Sequence, residues 1–174
     1  MSNALAAFVA ALLLFAASDS SVPASPPIPQ ADRLLIDKSD RTLTIIFPDG
    51  ATRTLTELRF GPNWAQGPKR RRGDRKTPEG DYRVLEHRTS RIDYPDVIFL
   101  PALYLDYPNE ADRAASEALG VDPGDAIMIH GPHPDLPPQA LRGHWTDGCA
   151  ALGAEQMAYL MMFTREGTPV TIQP

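Results

Sequence analysis

From residue 33 to residue 58 three short β-branched and apolar runs follow one another. Turn chemistry fills both gaps, Lys38-Ser39-Asp40-Arg41 in the first and Pro48-Asp49-Gly50 in the second. A pattern of that kind predicts a three-strand meander, with strands over 33–37, 42–47 and 51–58. The chain as a whole repeats the same grammar: its eighteen prolines and twelve glycines lie between short apolar runs, which favours strands and turns over a helical bundle. Further strands are predicted over 81–87, 97–105, 126–130 and 168–172. Two helices interrupt them. The first, over 109–119, is acidic and alanine-rich and closes at Gly120; the second, over 154–165, places Met157, Leu160, Met161 and Thr164 at helical spacing before Gly167. That stripe reads as core packing.

The chain has 174 residues, of which 43% are hydrophobic, enough for one core and too few for two. A net charge of −5 leaves no basic footprint for nucleic acid. Residues 5–17 are apolar and end in Ala16-Ala17-Ser18, a small-x-small cleavage pattern, so residues 1–18 are expected to be a secretory signal. The n-region lacks Lys and Arg, and an uncleaved N-terminal segment that retains the protein is the alternative. Residues 19–31, rich in proline, are expected to be an extended tether, and the folded domain to occupy residues 32–174 in a secreted or periplasmic protein. Residues 60–80 show no period and carry Lys69-Arg70-Arg71-Arg72, which reads as a solvated loop or as a surface for an anionic glycan or membrane.

Cys149, in Thr146-Asp147-Gly148-Cys149, is the sole cysteine and so has no intramolecular disulfide partner. It is either an inert buried thiol or a nucleophile. Nucleophilic use needs a base and donors for the oxyanion. His130 ends a buried apolar run and is the candidate base. Gly148 permits close backbone approach, so the amides of Gly148 and Cys149 are candidate oxyanion donors. The predicted helix after residue 154 would favour a thiolate if its N-terminus faced the sulfur. A rival metal site gathers His130, His133, His144, Asp147 and Cys149, at a spacing that matches no established zinc motif.

Ile127-Met128-Ile129-His130-Gly131 and then Thr146-Asp147-Gly148-Cys149, with fifteen residues between His130 and Thr146, resemble the signature of L,D-transpeptidase catalytic domains of the YkuD type. Gly67-Pro68-Lys69, Gly73-Asp74, Lys76-Thr77-Pro78-Glu79-Gly80 and Tyr107-Pro108-Asn109 extend the likeness, as do Ala111-Asp112-Arg113 and the closing Glu166 to Ile172 segment. The resemblance implies a mostly β, sandwich-like domain. It also implies a cysteine acyltransferase that acts on peptidoglycan stem tetrapeptides, releases D-alanine and passes the acyl group to an amine on a stem peptide or envelope protein. An L,D-carboxypeptidase or amidase using water, and a non-catalytic peptidoglycan-binding domain, are the alternatives. Carried over residue by residue, Cys149 is the nucleophile, His130 the base and the Gly131 carbonyl its orienting partner. The amides of Gly148 and Cys149 form the oxyanion hole, and Thr146 matches the position that lines the site. Asp147 has no such match and is, with Thr146, an expected substrate-binding residue.

No metal or cofactor is implied, and a monomer is expected. The likeness departs at Asp147, where many relatives carry His, and at Ala151, where they carry Arg or Asn. An inward carboxylate would raise the pKa of a neighbouring thiol, so Asp147 is expected to face outward or to meet a cationic acceptor amine. His133 and His144 have no counterpart and read as loop residues. Pairing with His130 predicts that Cys149 alkylates at neutral pH, below the range of an ordinary thiol.

Overall fold

The computed structural model describes residues 27–89, 101–132, 137, 139 and 142–174. The expected signal, most of the tether, His133 and residues 97–100 of one predicted strand lie outside the described residues. In chain order the elements are β1 (Arg33–Asp37), β2 (Thr42–Ile46), β3 (Thr52–Leu55), β4 (Gly80–Arg88), β5 (Ala102–Leu105), α1 (Glu110–Glu117), β6 (Met128–His130), β7 (Ala150–Ala151), α2 (Ala154–Phe163) and β8 (Pro169–Gln173). The strands form one sheet of eight in the order β3-β2-β1-β8-β4-β5-β6-β7. Its two ends meet through a bridge between Arg59 and Ala151, which curls the sheet toward closure. The mostly β class with two helices is as expected.

The predicted meander is present as antiparallel β1, β2 and β3. Alternation explains its packing. Leu34, Ile36, Leu43 and Ile45 point into the core and are fully buried, while their neighbours face out. β3 is shorter than its apolar run because Glu57 takes a left-handed φ of 63°, which ends the extended path. The N–H of Leu58 then turns back to the carbonyl of Arg41. β6 likewise begins late, at Met128, because Ala126 has φ 60°. β8 joins the meander to the second half of the sheet by pairing parallel with β1 and antiparallel with β4.

Both helices form where their periodicity places them. Met157 and Leu160 of α2 are buried in the main core, and Phe163 and Phe47 form a T-shaped pair with ring centroids 5.4 Å apart. α2 stops at Phe163 because Thr164 is extended and its hydroxyl donates back to the Leu160 carbonyl. α1 is anchored by Tyr82 of β4, whose hydroxyl donates to the buried carboxyl of Asp112. Asn109 caps α1 reciprocally: its side chain accepts from the Asp112 N–H, and the Asp112 carboxyl accepts from the Asn109 N–H.

Removing that cap isolates a fold effect from a site effect. Asn109→Ala is expected to lower unfolding stability by about 1 kcal/mol. Urea denaturation of both proteins checks it, and the reactivity of Cys149 in the folded variant stays at the wild-type level.

Candidate active site

β6 and β7 pair in parallel, with Ile129 opposite Ala150 and His130 opposite Ala151. Adjacent strands lie about 4.8 Å apart, so this pairing carries His130 to the neighbourhood of Cys149, the residue just before β7. Alternation then separates the two faces. Ile129 and Ala150 enter the main core, whereas Met128 and Cys149 pack with Ala102 and Tyr104 in a small cluster of their own. A cavity of about 610 Å³ opens on that side, and His130, Thr146, Asp147 and Cys149 all line it, with Trp145 between them in sequence.

His130 is fully buried. Its Nδ1 lies 2.7 Å from the carbonyl oxygen of Gly131. A carbonyl only accepts, so Nδ1 carries a proton, and the tautomer that could act as a base is the one with its lone pair on Nε2. The Gly131 N–H is itself donated to the Pro101 carbonyl at 3.1 Å, which fixes the orienting group. The Trp145 ring packs on the imidazole in a T-shaped arrangement, with centroids 5.6 Å apart.

The turn that presents Cys149 is held by one hydroxyl. Thr146 Oγ1 accepts from the Gly148 N–H at 3.2 Å and donates to the Cys149 carbonyl at 2.8 Å. Thr146 is 4% exposed, and although it lines the cavity its hydroxyl is spent inside the turn. Gly148 has φ 132°, and a Cβ there would lie 2.5 Å from the Lys76 carbonyl oxygen. Only glycine fits. Gly61 is equally tight: a Cβ would lie 2.2 Å from the Arg75 carbonyl oxygen. The 60–80 segment therefore packs against the cysteine turn at Lys76, while Arg71, Arg72 and Arg75 are exposed, so the solvated-loop reading holds for part of the segment only.

Within that segment Lys69 is 3% exposed and lines the same cavity. Its Nζ donates to Asp74 Oδ1 at 2.9 Å and to the Arg71 carbonyl at 3.0 Å. Burial pushes the Asp74 carboxyl up, but bonds from the Arg70 N–H, the Lys69 ammonium and the Arg71 and Lys76 N–H groups outweigh it and hold Asp74 below the ordinary carboxylate range. Neither residue stood out as functional in the sequence. Their presence in Gly67-Pro68-Lys69 and Gly73-Asp74 was the available signal.

Burial pushes the Cys149 thiol up to about 11. The Met128 N–H and the charge of Lys69 oppose that shift, while the carboxylate of Asp147 adds to it. The resting group is thus a neutral thiol, whose Sγ lies 3.6 Å from the Ala126 carbonyl. Neutral-pH alkylation is not what this environment favours. The N-terminus of α2 does not line the cysteine cavity either: Gly153, Ala154, Glu155 and Gln156 line a neighbouring cavity of about 550 Å³ on the Trp145 side. Asp147 faces outward, with its side chain 87% exposed and 3.4 Å from Arg75.

His144 is more than a loop residue. Its Nδ1 accepts the Phe60 N–H at 3.0 Å, and its ring stacks on Phe60 at 6.0 Å. Burial, with the charges of Arg41 and Arg59, holds its pKa below the usual imidazole value. No group of three or more His, Cys, Asp or Glu side chains suited to a metal ion occurs among the described residues.

Two measurements follow from these environments. In the free protein, the rate of Cys149 alkylation with pH is expected to rise in the alkaline range, near 11 and above the ordinary thiol value of about 8.5. A midpoint at or below that ordinary value contradicts the burial argument. His144→Ala leaves the Phe60 N–H without its acceptor and is expected to cost about 1–3 kcal/mol. The neutral ring's contribution is present above pH about 6.5 and is lost as pH falls toward the depressed pKa, so the deficit narrows in acid. The alkylation profile of this variant remains that of the parent.

Comparison with known proteins bears on the family and the fold. The sequence model of the L,D-transpeptidase catalytic domain, YkuD, matches residues 31–172. YafK of Escherichia coli K12, named for an inferred L,D-transpeptidase activity, is 38% identical over 65 residues, which are 37% of this chain and 23% of YafK. The fold is similar to that of the helical cell shape determining protein Pgp2 from Campylobacter jejuni, with TM-score 0.61 and 25% identity over 84% of this chain and 50% of that one. It is also similar to an L,D-transpeptidase from Mycobacterium smegmatis, with TM-score 0.51 and 15% identity over 81% of this chain and 58% of that one. The chain spans about a quarter of the curated relative and about half of Pgp2. A family match over residues 31–172, on a curled mostly β sheet with His130 and Cys149 in one cavity, places the chain in the L,D-transpeptidase catalytic domain family.

Proposed function

We propose that the protein is a peptidoglycan L,D-transpeptidase that uses Cys149 for acyl transfer on stem tetrapeptides. The observation that carries this reading is His130 on the wall of the Cys149 cavity, with Nδ1 held by the Gly131 carbonyl and Nε2 left as the basic nitrogen. As Sγ attacks the carbonyl carbon of the third residue, its proton passes to Nε2 and the carbonyl π electrons move onto oxygen. Collapse of the tetrahedral intermediate breaks the C–N bond. The imidazolium returns the proton to the leaving amine of D-alanine, and a thioester remains on Cys149. An acceptor amine then attacks the thioester, gives its proton to Nε2, and leaves with the acyl group as the thiol is restored.

The buried thiol suits this sequence. A neutral Cys149 avoids a buried thiolate until substrate is bound, and proton transfer to His130 occurs as the C–S bond forms. In this reading the oxyanion is met by the N–H groups of Cys149 and Gly148, the latter exchanging its 3.2 Å bond to Thr146 Oγ1 for a charged acceptor. Thr146 then acts by positioning the turn. Asp147 stands at the outer end of the cavity, where it can meet a cationic acceptor amine once Arg75 moves aside. The substrate lies outside the cytoplasm, and residues 5–17 supply export.

Purified protein incubated with a disaccharide tetrapeptide is expected to release D-alanine and form either cross-linked product or tripeptide, read by mass spectrometry. Cys149→Ala is expected to lower that turnover at least about 1000-fold with an unchanged circular dichroism spectrum. Equal turnover by the variant would end the cysteine mechanism.

A further inference from the structure

Lys69 is a buried charge with no task in the acyl-transfer steps. An ammonium taken out of water must be repaid by hydrogen bonds and an opposing charge. Two of its three donors have partners in the Arg71 carbonyl and Asp74 Oδ1. Asp74 is a divided counter-charge, because it also accepts from the N–H groups of Arg70, Arg71 and Lys76. Side-chain exposure is 4% for Lys69 and 6% for Asp74, so the pair is a rigid fixture.

The position of this fixture is what a purely structural lysine would not need. Lys69 forms part of the wall of the cavity that contains Cys149 and His130, and its charge is felt at the sulfur. The cavity's other two cations are committed at the rim: Arg72 to Asp122 and Asp125, Arg75 to Asp147, each with a side chain more than half exposed. A buried, doubly anchored ammonium beside a nucleophile is a fixed point charge suited to one anionic group of the substrate.

We propose that Lys69 binds the free C-terminal carboxylate of the acyl donor and so restricts the enzyme to chains that end one residue beyond the scissile bond. The inference rests on the acyl-transfer reading and names what that site selects. When the bond before a terminal residue is cut, the departing amino acid carries the chain's own carboxylate, a short distance from the carbonyl that Cys149 attacks. A cation in the wall rewards that carboxylate and gives nothing to a longer chain, in which an amide replaces the charge.

The test compares binding of a free-acid stem tetrapeptide with its C-terminal carboxamide, by calorimetry on the Cys149→Ala protein so that no turnover intervenes. The Lys69-containing protein is expected to hold the acid at least about 30-fold more tightly than the amide, the smaller end of the loss when a buried charge partner is removed. Lys69→Met, and the charge-balanced pair Lys69→Met with Asp74→Asn, are expected to erase that preference while still binding the amide. The proposal is overturned if acid and amide bind the Lys69-containing protein equally, or if the preference survives in the folded charge-balanced variant. It is overturned as well if Lys69→Met weakens acid and amide alike, which would mark Lys69 as acting through the fold. Selective binding of the acid, with no turnover of it by the protein that retains Cys149, would support carboxylate reading by Lys69 and dismiss the acyl-transfer reading.

Discussion

The parallel pairing of β6 with the two-residue β7 is the contact on which the site depends. Two residue pairs, Ile129 with Ala150 and His130 with Ala151, bring an imidazole and a thiol nineteen positions apart in sequence to one cavity. So short a strand cannot hold itself. Its outer side is covered by Arg59, which exchanges backbone bonds with Ala151 at 2.7 and 2.9 Å, and the turn leading into it is packed against the Lys76 carbonyl at Gly148. The curl of the sheet therefore has a functional result: it closes the edge that would otherwise leave the cysteine turn unsupported.

The same logic gives the 60–80 segment its purpose. Asp74 gathers three backbone N–H groups and one ammonium, which sets the path of the chain from Lys69 to Lys76 without regular secondary structure. That path puts the Lys76 carbonyl on Gly148 and the Lys69 side chain on the cavity wall. His144 and Thr146 brace the other side through Phe60, one by accepting the Phe60 N–H and the other by donating to the Phe60 carbonyl. The Cys149 turn is thus clamped from two directions.

Much of this was readable in the residues themselves. The meander from β1 to β3 follows from alternation and turn chemistry, and both helices follow from periodicity and their end signals. Those signals are local, and nothing distant overrode them. What escaped was whatever depends on a long-range contact or on one backbone angle. β7 is too short to have a period. Glu57 and Ala126 break their strands by taking positive φ, which neither residue type advertises. Arg71 and Arg72 of the basic run are exposed as a solvated loop predicts, but a charge count cannot show that Lys69 meets Asp74 in the interior. His130 and Cys149 were visible through their motif, but the raised thiol pKa was not, since burial is a property of the assembled sheet.

The central claim is that Cys149 accepts the acyl group and His130 accepts the thiol's proton. Mass spectrometry of protein quenched shortly after mixing with a stem tetrapeptide tests it most directly. The account predicts a tripeptidyl thioester mapped to the peptide containing Cys149. It also predicts that the adduct accumulates far more slowly in His130→Ala at neutral pH and recovers as pH rises toward the thiol's own range, near 11. Consumption of tetrapeptide with the adduct on another residue, or acylation at the wild-type rate in His130→Ala, would contradict it.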